Sequence, residues 1–596
     1  MSSNNSMRDF ISRNKTAIIA TVAAGTAAVG AYMYYAQLQQ QHEKKPAKKT
    51  KKSKKSVTEE EKKKEEPPIY PIDANGEPVL GDVDLLNDKT KEEWAGALKE
   101  KGNALFKKKD FENAIKYYTF ALSLKEDPVY YSNISACYSS LLNYEKVIEM
   151  ATKALALRPD YSKVLVRRAN AYEKLGNFGD AMFDLSVCSL NTDMSDASIE
   201  PILERNLNQQ AMFVLNTKLG VTDKKSQLPS NTALTSFFGI FKPELSFANY
   251  DDTCEGDKEL LNGLKNLYRC TAEGYETADL SFTKATEYFL KQLSETPDDE
   301  TVKEKTAIAL EHQGIFKFLK NNPLEAHEDI KKALELHPRI NSYIYMALIL
   351  ADKGDTDNYF ANYEKAMKLD DKNAALYYHR GQMYFITQQY EKAGEDFDKA
   401  KELDPENIFP YIQLACLSYR ENKFDDCETL FSEARRKFPN SSEVPNFYAE
   451  ILADKGDFDA ALKEYERAIE LEKKQDAVHV GIAPLVGKAT LLVRTPTVEN
   501  FVEATSLLEE AVKEDPRSEQ AKISLGQLKL QQEDIDEAIE LFESAATLAR
   551  TFEEKLQATT FAEAAKIQKR IRADPKMSAK IQETIAALRA SDFANL

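Results

Sequence analysis

A spacing of 34 residues constrains this chain more than any other feature in it. Pro405 and Pro439 stand that far apart, and the residues ahead of each keep the same frame. HRGQMYFITQQYEKAGEDFDKAKELDPEN places Gly381, Tyr384, Ala393, Phe397 and Ala400 before Pro405. The next unit answers with Ala415, Cys427, Phe431 and Ala434 before Pro439. LGQLKLQQEDIDEAIELFESA restates the frame with Gly526, Ala538, Phe542 and Ala545. Near the other end, KGNALFKKKDFENAIKYYTFALSLKEDP does so with Gly102, Ala114, Tyr118 and Ala121. The physical meaning is a pair of helices. Small residues let the two approach, an aromatic fills the gap between them, and proline stops the second. One pair cannot bury its apolar face alone, so the units must stack, coiling into a superhelix with a concave groove.

This period and pattern resemble the tetratricopeptide repeat (TPR). The expected fold is all-α, a TPR superhelix in two blocks with one N-terminal transmembrane helix. Units are placed near 95–128, 128–161 and 162–195, then near 307–340, 340–373, 374–407, 408–441, 442–475, 485–518 and 519–552. A weaker one lies around 258–297, and 553–590 reads as closing helices. The array breaks between 196 and 257. KLGVTDKKSQLPSNTALTS is polar and loop-like, whereas SFFGIFKPELSFANY (236–250) carries five aromatics without a helical period. A bare linker has no use for so many rings. The segment is expected to dock on both repeat blocks, with a ligand-binding aromatic patch as the alternative. The blocks are thus set at 95–195 and 250–596, with 196–249 between them.

Ahead of the blocks, TAIIATVAAGTAAVGAYMYYA (16–36) carries no charge and is long enough to span a bilayer. Its small-xxx-small rows, Ala20–Ala24–Ala28 and Ala23–Ala27–Ala31, suit packing against another helix. A cleaved signal peptide is the competing explanation. The length, the Tyr32–Tyr35 edge and the cysteine usage favour a retained anchor after a short segment, 1–15. Only Arg8, Arg13 and Lys15 precede it, while KKPAKKTKKSKK follows, so the charge bias leaves the long C-terminal part in the cytosol. The Lys/Glu run 42–66 is too polar to fold, and 37–94 is assigned as stalk and linker. Residues 1–66 have a net charge of +7, which leaves −24 on the rest. An acidic body disfavours nucleic acid as the main partner. The six cysteines show no CxxC pair and no regular framework, as expected in a reducing compartment.

Chemistry enters with YSKVLVRRANAYEKLGN (161–177). Lys163 and Arg167 stand four apart on one helical face, where like charges repel unless solvated or awaiting an anion. Counted within their units, Lys99, Asn103, Asn133, Lys163 and Arg167 all lie on first helices, which line the groove. Three cations and two amides converging there would suit a carboxylate-rich peptide. Arg168, about 100° further round the helix, is expected to be a supporting or surface residue. The set KxxxN, then N, then KxxxR resembles the dicarboxylate clamp of co-chaperone TPR domains. That resemblance implies a grip on the Glu-Glu-Val-Asp tail of cytosolic heat-shock chaperones.

The anchor, stalk, clamp and long second block together resemble one family over nearly the whole chain. It is the large TPR receptor of the mitochondrial outer-membrane preprotein translocase, in its fungal form. SRNKTAI, PPIY, FFGIFKPEL, DPENIFPYIQLACLSYRENKFDDCETLFSEA and VGIAPLVGKATLL carry the likeness. The resemblance implies an outer-membrane receptor with its N-terminus toward the intermembrane space. It would take hydrophobic preproteins, such as inner-membrane carriers, from chaperones and pass them to the translocase pore subunits. Tyr378, Phe385, Phe409, Ile412 and Tyr419 are first-helix apolar positions that would line a preprotein groove; inter-repeat core is the equal alternative for several of them. Two other functions share the motifs: a membrane-anchored TPR scaffold, and a co-chaperone on another organelle.

No enzyme is expected, and no cofactor. GIAPLVGKAT (481–490) nearly spells a phosphate loop, but has five residues between Gly481 and Gly487 and Ala489 in place of Ser/Thr. The six histidines make no metal spacing.

Overall fold

Short polar residues set where the helices begin. Asn87 starts α1 (Asp88–Lys107) by accepting from the Thr90 N–H, and Asp110 does the same for α2 (Phe111–Leu124) from Asn113. Asp127 caps α3 (Pro128–Ser140), whose proline takes a first-turn position where no donor is needed. Asn143 caps α4 (Tyr144–Leu157). Then follow α5 (Ser162–Lys174), α6 (Phe178–Asn191) and α7 (Glu200–Leu219). The turn joining the two helices of a repeat needs one left-handed residue. Lys109, Leu142, Gly176, Asn321, Gly354, Gln388, Asn422 and Gly456 supply it, within each block at intervals of 33 or 34 residues.

The computed structural model describes residues 68–581, apart from 82, 192–197, 220–226 and 496. The segment 16–36 and the Lys/Glu run 42–66 lie outside the described residues. Among those described, every regular element is a helix, and no helix is long and apolar enough to cross a membrane.

Pairs of helices close as the small-residue pattern requires. A Cβ on Gly102 would stand 2.7 Å from the Tyr118 ring, and one on Gly381 would stand 2.9 Å from Phe397. Tyr118 and Phe397 are themselves fully buried. Those rings are the filling that the repeat pattern called for.

The chain forms two compact units. Of the described residues, the first takes those before 222 together with Lys529–Ala546 and those from Phe552 on; the second takes those within 222–528 and 547–551. This differs from the division at 95–195 and 250–596 in two ways. The end of the chain belongs with the first unit: the helix Phe552–Ala573 lays Ala564, Ile567 and Ile571 into one apolar core with Leu185 of α6 and Leu203 and Leu207 of α7. Arg570 fixes it there through Asp180 at 2.8 Å and the Phe183 ring, and Gln210 bonds Glu563 at 2.9 Å. The break at 196–257 also contains helix, namely α7 and the short helix Asn231–Phe238.

The aromatic segment packs inside the second unit. Phe238 stacks at 5.7 Å on Phe316, and Phe241 meets Tyr345 at 5.2 Å and His379 at 5.1 Å. Glu244 is held by Arg339 at 2.6 Å and Asn341 at 3.0 Å. Arg339 in turn bonds the buried Glu311, whose other partner is the Ser342 hydroxyl.

Candidate functional site

Three helices of the first unit supply the predicted anion site. Lys99 and Asn103 lie one turn apart on α1, Asn133 on α3, and Lys163 and Arg167 one turn apart on α5. Asn103 Oδ1 accepts from the Tyr118 hydroxyl at 2.8 Å and from Asn133 Nδ2 at 3.5 Å, which joins α1 to α3. Arg167 joins α5 to α3. Its Nη1 donates to the Ser132 carbonyl at 2.8 Å, the Ser135 hydroxyl at 3.0 Å and the Ser132 hydroxyl at 3.2 Å.

Arg167 therefore has only neutral partners. No carboxylate among the described residues forms an ion pair with it, although it is largely desolvated and burial lowers its pKa. A buried cation without an anion is an unfavourable arrangement that a ligand carboxylate relieves. Its neighbour shows the contrast. Arg168 grips Asp184 with two bonds of 2.7 Å and reaches Thr152 at 3.0 Å. Asp184 is buried enough that its carboxyl rises above the ordinary range despite that arginine. Arg168 thus holds α5 to α6, and its neighbour is left without a carboxylate partner among the described residues. Ser132 and Ser135 hold the guanidinium; a serine pair three apart in YYSNISACY gives no distinctive sign in sequence.

The two lysines differ. Lys163 is exposed, and no ion pair involves it among the described residues. Lys99 already bonds a carboxylate, the exposed Glu100, at 3.2 Å. Hydrogen bonds from Lys99 first and Asn103 second hold the Glu100 carboxyl below its usual range. Glu100 thus uses donors that a ligand carboxylate would use.

The five groove candidates of the second unit separate into two sets. Tyr378 (3% exposed), Phe409 (9%) and Ile412 (1%) are core. Tyr378 packs on Phe397 and Phe409, and the Phe409 ring fills the space over Gly239 of the aromatic segment. These three serve inter-repeat packing, which corrects their assignment as groove residues. Phe385 and Tyr419 are half-buried. Tyr419 turns its hydroxyl to Asp454 at 2.7 Å.

The near-phosphate loop has a local explanation. Glu472 accepts from the backbone N–H groups of His479 (2.9 Å), Val480 (3.2 Å) and Gly481 (2.8 Å). Those donors lead into the helix Ala483–Leu492, where an anion is favoured. The protein's own carboxylate occupies the place of a phosphate. Lys488 is paired as well, with Glu466 at 3.0 Å and Glu503 at 2.7 Å.

Comparison with known proteins adds the wider context. Tetratricopeptide-repeat family models match residues 97–128, 374–407, 412–477 and 498–559. The mitochondrial import receptor subunit TOM70 of Saccharomyces cerevisiae is 63% identical over 612 residues, covering 98% of this chain and 99% of its own. The human protein of the same name is 27% identical over 512 residues, covering 80% and 79%. A crystal structure of the yeast Tom70 aligns with a TM-score of 0.60 and 68% identity, over 83% of this chain and all of that one.

Proposed function

This chain belongs to the TOM70 family of mitochondrial import receptor subunits, and from that premise we propose how its two units divide the work. The first unit docks cytosolic heat-shock chaperones. Lys99, Asn103, Asn133, Lys163 and Arg167 grip the two carboxylates at the end of a Glu-Glu-Val-Asp tail. The second unit holds a hydrophobic preprotein, such as an inner-membrane carrier, until the pore subunits of the translocase take it. The segment 16–36 anchors the receptor in the outer mitochondrial membrane as a single pass, with the body in the cytosol. No bond is made or broken: the protein works by binding and hand-over.

One observation supports the clamp above the rest. Arg167 is a desolvated guanidinium with neutral partners only, one residue from an arginine that is fully paired. The same side chain supplies the test. Fluorescence anisotropy of the full-length chain in mild detergent, with a labelled peptide ending in Glu-Glu-Val-Asp, should show saturable binding. Arg167→Ala should weaken it about tenfold or more, the scale of a lost charge-assisted hydrogen bond. Equal affinity in the two proteins, or no binding to either, would return the basic face to solvent and remove the clamp.

A further inference from the structure

The second unit contains a place that wants a positive charge. On the helix Glu443–Lys455, Asn446 and Glu450 stand four residues apart, so they share one face. Asn446 lies three before, and Glu450 one after, the small residue Ala449 that packs the helix pair. Lys99 and Asn103 bear the same relation to Gly102 in α1. The two groups therefore occupy, in the second unit, the positions that hold the clamp in the first.

Their bonding is incomplete. Asn446 is 2% exposed, and its Nδ2 donates to Glu450 Oε1 at 3.2 Å. Its Oδ1 is buried without any donor. Glu450 is half-buried, and among the described residues it forms no ion pair. Asn446 Oδ1 thus lacks a donor and Glu450 has only the Asn446 amide, and a buried acceptor left unmade is costly. The charge state agrees. Burial, the largest influence, raises the Glu450 carboxyl to about 7. Cys416 on the facing helix Phe409–Arg420 and Tyr465 on the helix Phe458–Glu472 stay neutral beside it, both pushed up by burial. Neither supplies a cation; Arg420 and Arg494 act on Cys416 and Tyr465, and neither forms an ion pair with Glu450 among the described residues. Tyr419, on the same helix as Cys416, bonds Asp454 two turns of helix from Asn446. The polar strip therefore borders a half-buried aromatic.

We propose that Asn446 and Glu450 form a recognition point for one basic side chain carried by an otherwise apolar peptide segment. This rests on the reading that the second unit holds preproteins, and it adds a charge requirement to that reading. The positive group would take Glu450 as counter-ion and Asn446 Oδ1 as a second acceptor, an arrangement that favours the planar donors of arginine. The first unit would then read anions and the second cations, from equivalent places on the same scaffold.

The test uses the full-length chain in detergent and two labelled peptides. Both are apolar and differ at one central residue, arginine in one and its uncharged isostere citrulline in the other. The wild type should bind the arginine peptide about tenfold tighter. Glu450→Gln should erase that preference and leave the citrulline peptide unchanged. The variant removes only a desolvated charge, so folding is not at stake, and Glu-Glu-Val-Asp peptide binding serves as the control. Glu470→Gln, at an exposed site, should keep the preference, which separates a local site from the field of an acidic body. Equal affinity for both peptides in the wild type, or a preference that survives Glu450→Gln, overturns the proposal alone. If neither peptide binds, the reading of the second unit falls together with it.

Discussion

Arg167–Arg168–Ala169 in the first unit and His379–Arg380–Gly381 in the second stand at the same place in their repeats, and their fates diverge at one residue. Arg168 and Arg380 behave alike. Each holds an aspartate sixteen residues on, Asp184 or Asp396, with bonds of 2.7 to 2.8 Å, and so clamps the two helices of its repeat. The residue before each differs. Arg167 rests on Ser132 and Ser135 with no carboxylate partner among the described residues. His379 is sealed under Phe237 and Phe241 of the chain's own aromatic segment, with Nδ1 on Gln382 and Nε2 unpartnered. The scaffold is shared, then, and the two repeats differ in whether this position lacks a carboxylate partner or is covered by the chain's own rings.

The comparison breaks first at the aspartates. Asp184→Ala and Asp396→Ala should each cost about 3–5 kcal/mol, because each strands a partly buried arginine. Arg167→Ala should cost no more than about 1 kcal/mol, since it removes a cation that nothing neutralises. Urea unfolding measures this, and the single tryptophan, Trp94, reports the first unit alone. If Asp184→Ala were as mild as Arg167→Ala, the paired and unpaired arginines would not differ as described.

Acid sharpens the second half. Burial lowers the His379 pKa from 6.5 to about 4, so the folded state holds it neutral. The unfolded chain binds that proton more readily between those values, so this contribution is intact above 6.5 and lost as pH falls toward 4. The loss amounts to about 3 kcal/mol. His379→Gln should flatten the pH dependence of stability across that window by this amount. An unchanged profile would mean that the ring is not sealed. The smallest effect concerns Glu100, which already uses Lys99 and Asn103. Glu100→Gln should tighten tail-peptide binding two- to threefold, a modest gain because the pair is solvent-exposed. Weaker binding would make Glu100 part of the grip.

Much of this was legible in the sequence. Gly102 with Tyr118 and Gly381 with Phe397 announce helix pairs because close approach demands a missing Cβ and a ring to meet it. The first-helix positions of Lys99, Lys163 and Arg167 follow from repeat counting. Other features leave no such mark. The left-handed turn residue is glycine at 176, 354 and 456 but Lys109, Leu142, Asn321, Gln388 and Asn422 elsewhere, because an exposed turn tolerates the strain. Tyr378 and Ile412 differ from the half-buried Phe385 and Tyr419 only in what packs over them, and periodicity does not reveal that. The destination of the aromatic segment depends on Arg339, Tyr345 and His379, roughly a hundred residues away and more. That the last helices return to the first unit is a long-range pairing, beyond the reach of local pattern.

That return has a consequence for how the receptor is made. The apolar side of α6 and α7 is covered by Ala564, Ile567 and Ile571, which follow the second unit in the chain. During synthesis the first unit waits without this cover while the second unit emerges. Completion of this core is thereby tied to synthesis of the helix Phe552–Ala573, and a chain that stops before it leaves the apolar side of α6 and α7 uncovered.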